Sequence, residues 1–224
     1  MKNRQREQME NKKILTEKEA ERFLESYGIP VAKSRLVNSL SEARQAIQQI
    51  KYPAVLKIIS QQALHKTEVG GVRIVDDESS LIREYNNLVQ LAKKLKIKLD
   101  GILVQEKLHG QELILGISKD PIFGHAVMLG LGGIFVEILK DVSFRICPIS
   151  EKDFQSMLDD LEAKKVLYGV RGEKPIDMKL LKQILVKLSR IPLKEKKIEE
   201  LDINPFMIDE KTGKVADARI VFSK

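Results

Sequence analysis

The segments IEELDINPFMID (residues 198–209) and KVADARIVF (residues 214–222) decide the fold class of this 224-residue chain. Each segment shows the alternation of apolar and polar residues that is typical of a half-buried strand. The residues Lys211–Gly213 between them supply a turn, so the two segments predict a β-hairpin. The hairpin predicts an antiparallel sheet near the C-terminus.

The same hairpin carries three oxygen-bearing side chains. Asp202 and Asn204 are separated by Ile203, which places both side chains on one face of their strand. Asp217 returns on the facing strand. Hard oxygen ligands in this arrangement suit Mg²⁺ that holds nucleotide phosphates. A solvent-facing hairpin without a ligand is the alternative that spacing leaves open.

The rest of the chain mixes helices and strands without the regular alternation of a doubly wound sheet. Thr16, followed three residues later by Glu19, predicts a helix that ends near Gly28. Further helices are predicted at residues 39–50, 79–95, 151–161 and 176–190, and strands at residues 31–37, 54–59, 70–75, 100–108 and 111–120, with several more between 121 and 149. We therefore expect an α+β fold with mostly antiparallel sheets.

Two further features could carry chemistry. Lys57 lies inside the apolar run Ala54–Ile59, where an unpaired ammonium is costly to bury, so an anionic partner is expected. A lysine that points outward from an edge strand is the alternative. Gly70 and Gly71 precede a predicted strand, where their backbone N–H groups could approach phosphate oxygens. A plain glycine turn is equally compatible with that spacing.

Composition excludes several classes of protein. The net charge is +7, but the lysines are spread along the chain among glutamates, and the chain has no tryptophan for base stacking, so nucleic acid is not an expected partner. The longest apolar run, Ala126–Val136, is far shorter than the roughly 20 residues that cross a bilayer. The polar N-terminal stretch and the lone Cys147, expected to be an inert buried thiol, indicate a cytoplasmic protein. No P-loop or dinucleotide-binding motif is present.

Five motifs in order resemble one family: AVLKIIS, then LHKTEVGGVRI, VQEKLHGQELILGISKDPIFG, GLGGIFVEILKDVSFR, and ELDINPF with ADARI. Over residues 14–222 the chain resembles the ATP-grasp subunit of ADP-forming acetyl-CoA synthetases, and more distantly the succinyl-CoA synthetase β subunit. The resemblance implies an ATP-grasp domain over residues 14–224 after a polar tail (1–13), with nucleotide bound between two lobes. The smaller lobe would span about 30–103, and the larger would combine the N-terminal helix with about 104–224.

The resemblance also implies roles for individual residues. Lys57 would contact nucleotide phosphates, and the backbone of Gly70 and Gly71 would form the small phosphate loop. The adenine-binding hinge would consist of Val104, Gln105, Glu106 and Lys107. In the larger lobe, Glu112 would bind ribose and Asp202 would sit near the transferring phosphoryl group. Mg²⁺ would be held by Asn204 and Asp217, and the supporting residues would be Glu137 and Arg145.

His65 stands in a polar stretch just before the glycine pair. From the residues alone, a surface histidine is an open alternative. The family pattern LHK, matched at residues 64–66, implies instead a histidine that accepts phosphate and relays it between distant sites. His109 and His125 match no such pattern and are expected to be structural.

The implied activity is reversible conversion of acyl-CoA, ADP and phosphate into acid, ATP and CoA. The chain contains no CoA-binding module and no CoA-ligase module, so the resemblance implies a separate α subunit that carries those modules and the first phosphohistidine, in an α₂β₂ assembly. The alternatives are a succinate-type or other ATP-grasp ligase subunit, and a nucleotide-sensing module without catalysis. A basic RNA-binding protein is a third alternative.

Overall fold

In the computed structural model of the chain, the described residues are 12–60, 70–133, 141–170 and 172–224. In chain order the strands are β1 (Lys12–Ile14), β2 (Ser34–Val37), β3 (Ala54–Ile59), β4 (Val72–Val75), β5 (Gly101–Glu106), β6 (Gln111–Asp120), β7 (Gly124–Leu131), β8 (Val142–Ile146), β9 (Ile198–Ile208), β10 (Gly213–Val215) and β11 (Ala218–Ser223). The helices are α1 (Glu17–Ser26), α2 (Leu40–Ile50), α3 (Glu78–Lys94), α4 (Glu151–Asp160) and α5 (Met178–Lys194), with a 3₁₀ helix at Lys164–Tyr168.

The chain divides into two compact units. The smaller unit is continuous and runs from Ala32 to Leu108, whereas the larger unit combines Met1–Val31 with His109–Lys224. Strand β5 lies wholly inside the smaller unit. The lobe boundary expected at about residues 103–104 therefore falls within a continuous strand, and the division between Leu108 and His109 lies five residues further along.

The smaller unit contains an antiparallel sheet in the order β2-β5-β3-β4. Helices α2 and α3 pack on one face of this sheet. From the central strand β3, the alternate residues Ala54, Leu56 and Ile58 enter the core between sheet and helices. Because successive strand residues point to opposite faces, Lys57 belongs to the face away from the helices.

The larger unit contains a second antiparallel sheet, in which seven strands belong to the described residues. Six run in the order β1-β11-β9-β6-β7-β8, and β10 pairs with β9. Helices α1, α4 and α5 contribute to one hydrophobic core with the inward residues of these strands, among them Leu115, Leu201 and Ile203. The other face of the sheet, here called the opposite face, carries Glu112, Gly116, Asp202 and Asn204.

Helix starts follow the signals in the sequence. Thr16 caps α1 in a capping box with Glu19, whose carboxylate accepts the Thr16 N–H at 2.8 Å. Ser39 caps α2 by accepting the backbone N–H of Glu42 at 3.2 Å. Each such cap contributes about 1 kcal/mol.

The predicted α+β class with antiparallel sheets is confirmed. Among the described residues no helix has the length and apolar character of a membrane span.

Candidate functional site

Lys57 lies in the middle of the smaller unit's sheet. Strand β3 is flanked by β5 and β4, and Lys57 pairs with Leu103 on one side and Val72 on the other. Its side chain is only 6% exposed. The alternative of a lysine pointing outward from an edge strand is therefore excluded. A cation at this depth is poorly screened by water, so it attracts an anion more strongly than a surface lysine does.

The glycine pair lies beside Lys57. The carbonyl of Gly71 accepts the backbone N–H of Ile58 at 2.9 Å, which places Gly71 against the residue that follows the lysine. Gly70 has a φ of +70°, a conformation that favours glycine. A Cβ added at Gly70 would come within 3.3 Å of the Arg73 guanidinium. The backbone conformation at this position therefore favours glycine by itself, whether or not a ligand binds there.

The four residues expected at the adenine hinge have different surroundings. Val104 is fully buried in the hydrophobic core of the smaller unit and pairs with Arg35 and Leu56 on the two flanking strands. Gln105 lies on the same sheet face as Lys57 and is 2% exposed. The carboxylate of Glu106 accepts the backbone N–H of Lys33 at 2.7 Å, and the Glu106 N–H returns a bond to the Lys33 carbonyl at 2.9 Å. Glu106 thus joins the end of β5 to Lys33, the residue that precedes β2.

The C-terminal hairpin in the larger unit brings its polar residues together. Ile203 is buried and pairs with Ala218, so Asp202 and Asn204 on either side of it face away from the core. The backbone N–H of Asn204 donates to the carbonyl of Asp217 at 3.1 Å, which places these two residues next to each other. Asp202 pairs with Gly116, where an added Cβ would come within 3.1 Å of the Leu201 carbonyl and 3.3 Å of the Met128 side chain.

The carboxyl group of Asp202 is poorly solvated. Burial raises its pKa above the ordinary aspartate range, and the nearby negative charge of Glu200 raises it further. Arg219, which pairs with Glu200 at 3.4 Å, partly opposes this shift. A half-buried carboxylate with a raised pKa is typical of functional sites, where a bound cation or ligand supplies the positive charge that stabilises the ionised form.

We expect Asp202→Asn to stabilise the ligand-free protein at neutral pH. A raised pKa in the folded state means that the ionised form costs stability, and this cost is absent below the unfolded pKa and grows as the pH rises through the folded value. The melting temperature of the variant should therefore exceed that of the wild type at pH 7, and the difference should shrink toward pH 4.

Asp120→Asn is the matched control with the opposite sign. Asp120 accepts the backbone N–H groups of Phe123 and Ile122, which lowers its pKa. Its contribution to stability is present above the unfolded pKa and is lost on acidification, so this variant should melt below the wild type at pH 7. An Asp202→Asn protein that also melts lower at pH 7 would contradict the burial argument.

Glu112 stands at the start of β6 on the opposite face, and two glycines after β7 lie against it. The N–H of Gly132 donates to the Glu112 carbonyl at 2.7 Å. A Cβ on Gly132 would lie 2.7 Å from that oxygen, and a Cβ on Gly133 would lie 3.6 Å from Glu112 Oε2. In the sequence this glycine run is recognisable only as part of the family motif GLGGIFVEILKDVSFR, and its contact with Glu112 was not predicted. The signal available was a Gly-Gly pair directly after an apolar strand.

The structure corrects the expectation for Arg145, which was assigned a supporting role in the site. Its guanidinium forms an ion pair with Asp160 of α4 at 2.8 Å and donates to Ser143 Oγ at 3.2 Å. Strand alternation explains the outcome, because Arg145 pairs with the core residue Val127 and therefore shares the helix side of the sheet. Arg145 joins β8 to α4.

The histidines and the cysteine have distinct surroundings. His65 and Glu137 lie outside the described residues. His109 is exposed, and the Nε2 of His125 contacts the Ile198 carbonyl at 2.8 Å, in keeping with a structural role. Burial raises the pKa of Cys147 to about 12, so its thiol stays protonated at neutral pH, as expected for an inert cysteine.

The donors on the hairpin favour a hard cation that also binds another ligand. Among the described residues, no group of three or more His, Cys, Asp or Glu side chains could hold a metal ion by itself. Asn204 and Asp217 supply two protein ligands from neighbouring positions. This donor set fits Mg²⁺, which usually takes one or two protein oxygens and completes its shell with water and phosphate oxygens.

Comparison with protein families gives a match to the ATP-grasp domain over residues 6–222. The beta subunit of acetate–CoA ligase (ADP-forming) I from Pyrococcus furiosus is 41% identical, over 92% of this chain and 91% of that protein. The 4-hydroxybutyrate–CoA ligase (ADP-forming) of Nitrosopumilus maritimus is 39% identical over 94% of this chain, which spans only 31% of that longer protein.

A solved structure is also similar throughout its length. The dinucleotide-forming acetyl-coenzyme A synthetase 1 of Ca. Korarchaeum cryptofilum, in complex with coenzyme A, Ca-AMPCP and HgCl⁺, superimposes with a TM-score of 0.90. The two chains are 43% identical, and the match covers 94% of this chain and 93% of the other.

Proposed function

This chain belongs to the ATP-grasp domain family, and from that premise we propose that it is the nucleotide-binding subunit of an ADP-forming acyl-CoA synthetase. The observation that carries the proposal is the end-to-end match to a separate beta subunit of acetate–CoA ligase. The subunit is part of an acid–thiol ligase. It transfers a phosphoryl group between a phosphohistidine and ADP.

The overall reaction begins when phosphate attacks the thioester of acyl-CoA, which releases CoA and forms an acyl phosphate. A histidine nitrogen then attacks the phosphorus, the acid leaves, and a phosphohistidine remains. Finally, a terminal phosphate oxygen of ADP attacks that phosphorus, the P–N bond breaks, and ATP forms. Each step is reversible. Phosphoryl transfer of this kind depends mainly on alignment and charge neutralisation.

In the smaller unit, Lys57 contacts the nucleotide phosphates. The support is its deep burial on a central strand, where its charge is poorly screened by water. The backbone of Gly70 and Gly71, beside Lys57, forms the small phosphate loop. Adenine binds along the Val104–Lys107 segment, in which the Gln105 side chain lies on the same sheet face as Lys57.

In the larger unit, Glu112 binds the ribose and Asp202 lies near the transferring phosphoryl group. Asn204 and Asp217 hold Mg²⁺, a role supported by their adjacent positions on the hairpin and by their oxygen donors. When bound, the ion neutralises phosphate charge. Because burial disfavours the ionised form of Asp202, a positive charge bound beside it would stabilise the carboxylate.

His65 is proposed as the phosphate-accepting residue of this chain. The support is the LHK pattern at residues 64–66. A phosphohistidine suits the intermediate because its P–N bond is reactive enough to pass phosphate to ADP. The histidine acts as a carrier between the acyl-phosphate site and the ADP site.

The beta-subunit relatives imply a partner α subunit, which we propose carries the CoA-binding and ligase modules. Support comes from the 4-hydroxybutyrate ligase, in which a segment similar to this chain forms less than a third of a single polypeptide. The remaining modules would then come from the partner, in an α₂β₂ assembly that involves neither nucleic acid nor membrane. A cytoplasmic location stays a prediction.

Isotope exchange tests this function against its alternatives. With the α subunit, acyl-CoA and Mg²⁺ present, labelled phosphate should enter ATP in an ADP-dependent manner. A nucleotide-sensing module would bind ADP in calorimetry and give no exchange. A succinate-type ligase subunit would support exchange with succinyl-CoA but not with acetyl-CoA. Failure of the chain to bind Mg-ADP even at about 1 mM, the upper end of common substrate affinities, would contradict the proposal.

We expect Asn204→Ala and Asp217→Ala each to raise the Mg²⁺ concentration needed for half-maximal activity by about tenfold or more, since each removes a direct ligand. The measurement is a Mg²⁺ titration of ligase activity in the assembled enzyme. Glu210→Ala is the control, because this exposed carboxylate pairs with Lys174 at 3.0 Å, away from the hairpin ligands. An unchanged metal requirement in both ligand variants would refute the assignment.

A further inference from the structure

Two adjoining cavities lie in the larger unit, where the end of α5 meets strands β1 and β11. Their volumes are about 580 and 480 Å³, which is within the range of ligand-binding clefts. Lys13, Glu195 and Phe222 line both cavities, so the two form one elongated groove. We call it the basic groove after the cations that line it, which are Lys13, Arg22, Lys194, Lys196 and Lys197.

The base of the basic groove is aromatic. Lys13 pairs with Phe222 across β1 and β11, so their side chains are neighbours on one face of the sheet. The Phe222 ring contacts Phe23 of α1 edge-on, with the ring centroids 5.7 Å apart. Both rings pack against the core of the larger unit but are only partly buried. The groove therefore presents apolar surface between its cations.

The positive charge of the basic groove is only partly neutralised by its own walls. Three of the cations come from the end of α5, namely Lys194, Lys196 and Lys197. All three are exposed, and none of them forms an ion pair within the described residues. Two glutamates of the walls have other partners. Glu195 accepts the Tyr27 hydroxyl at 2.8 Å, and the Glu19 carboxylate accepts the N–H of Thr16 at 2.8 Å.

We propose that the basic groove binds an acidic segment of a partner polypeptide, with an apolar or aromatic side chain on Phe23 and Phe222 and carboxylates beside the lysines. The inference goes beyond the proposed function and does not depend on the nucleotide site. Charge complementarity favours an acidic partner, because a basic segment would be repelled. The apolar base favours a peptide over an inorganic anion, since a phosphate would neutralise lysines and leave both rings uncovered.

The basic groove and the proposed Mg²⁺ site lie on different faces of the larger sheet. Phe222 pairs with Ile198, a core residue, and therefore shares the helix side of the sheet. Asp202 and Asn204 lie on the opposite face. Peptide binding can therefore be tested without the nucleotide, and a failure of one proposal leaves the other standing.

The test is fluorescence anisotropy of the whole chain with a labelled peptide in which a phenylalanine is flanked by glutamates on both sides. Serine in place of that phenylalanine should weaken binding by about tenfold or more, because the contact with the aromatic base is lost. Raising the salt concentration from about 0.1 to about 1 M should also weaken binding by about tenfold or more, since the Debye length falls from about 10 to about 3 Å.

Lys196→Glu/Lys197→Glu should weaken binding of the same peptide by about tenfold or more, because two attractive charges become repulsive. Its melting temperature should stay near that of the wild type, since both side chains are exposed. Lys93→Glu/Lys94→Glu is the matched control, which reverses two exposed lysines in the last turn of α3 in the smaller unit. This control should bind the peptide as the wild type does.

Four results would overturn the inference. The first is a wild type that does not bind the peptide, and the second is equal affinity for the serine and phenylalanine peptides. The third is an equal loss of affinity in the two double variants. The fourth is a different occupant, shown either by tighter binding of oligothymidylate than of the peptide or by self-association of the chain that Lys196→Glu/Lys197→Glu abolishes.

Discussion

Lys57→Ala is expected to weaken Mg-ADP binding to the isolated chain by about 10- to 150-fold, the loss of a charge-assisted hydrogen bond worth roughly 1.5–3 kcal/mol. The reason is the depth of the lysine. With 6% exposure, its charge is poorly screened by water, so its attraction to phosphate is stronger than that of a surface lysine. Calorimetry with Mg-ADP measures the change directly.

Two variants separate this contact from general effects. Lys93→Ala removes an exposed lysine from the last turn of α3 in the same unit, with the same change in net charge, and should leave Mg-ADP affinity unchanged. Lys57→Met keeps the length and apolar stem while removing the charge, so it should retain the fold and lose affinity as the alanine variant does. Full affinity in Lys57→Met would show that the ammonium does not contact the phosphates.

Local signals in the sequence were sufficient for much of the fold. The capping box at Thr16 is formed with Glu19, three residues further along, so its geometry follows from spacing alone. The hairpin that contains Asp202 and Asn204 was predictable for the same reason, because alternation fixes which residues share a face. The order of strands within each sheet was not predictable, since it depends on pairing between distant segments.

The same difference between local signals and long-range pairing applies to the residues of the candidate site. Asp202 and Asn204 could be placed together from the sequence, but the surroundings of Lys57 could not, because a central and an edge strand give the same apolar run. Arg145 was assigned incorrectly because its partner Asp160 lies on a helix that follows β8. The contact between Gly132 and Glu112 was missed, since it joins residues 20 positions apart through the pairing of β6 with β7.

The largest expected effect belongs to His65→Ala in the complex assembled with the α subunit. Overall ligase activity should fall by about 10³-fold or more, because removal of a covalent carrier eliminates a route that the remaining groups cannot replace. Affinity for Mg-ADP should be unchanged, since a phosphate carrier is not needed to hold the nucleotide. Activity is measured as acyl-CoA-dependent ATP formation, and binding by calorimetry.

A chemical signature distinguishes a phosphorylated histidine from one that only assists transfer. Incubation of the assembled complex with γ-labelled ATP and Mg²⁺ should place label on this chain in a form that acid removes and base does not, as expected for a P–N bond. The label should be absent in His65→Ala and present in His109→Ala, which removes an exposed histidine expected to be structural.

The need for such a carrier follows from the geometry of in-line transfer. Attack on phosphorus requires the nucleophile and the phosphoryl group to be in contact, at about 3–3.5 Å. The acyl phosphate is proposed to form on the α subunit and ADP to bind here, so direct transfer would require both substrates to share one pocket. A histidine of this chain removes that requirement by dividing one long transfer into two short ones. A fully active His65→Ala complex would eliminate the relay and leave direct transfer from the partner's own phosphohistidine.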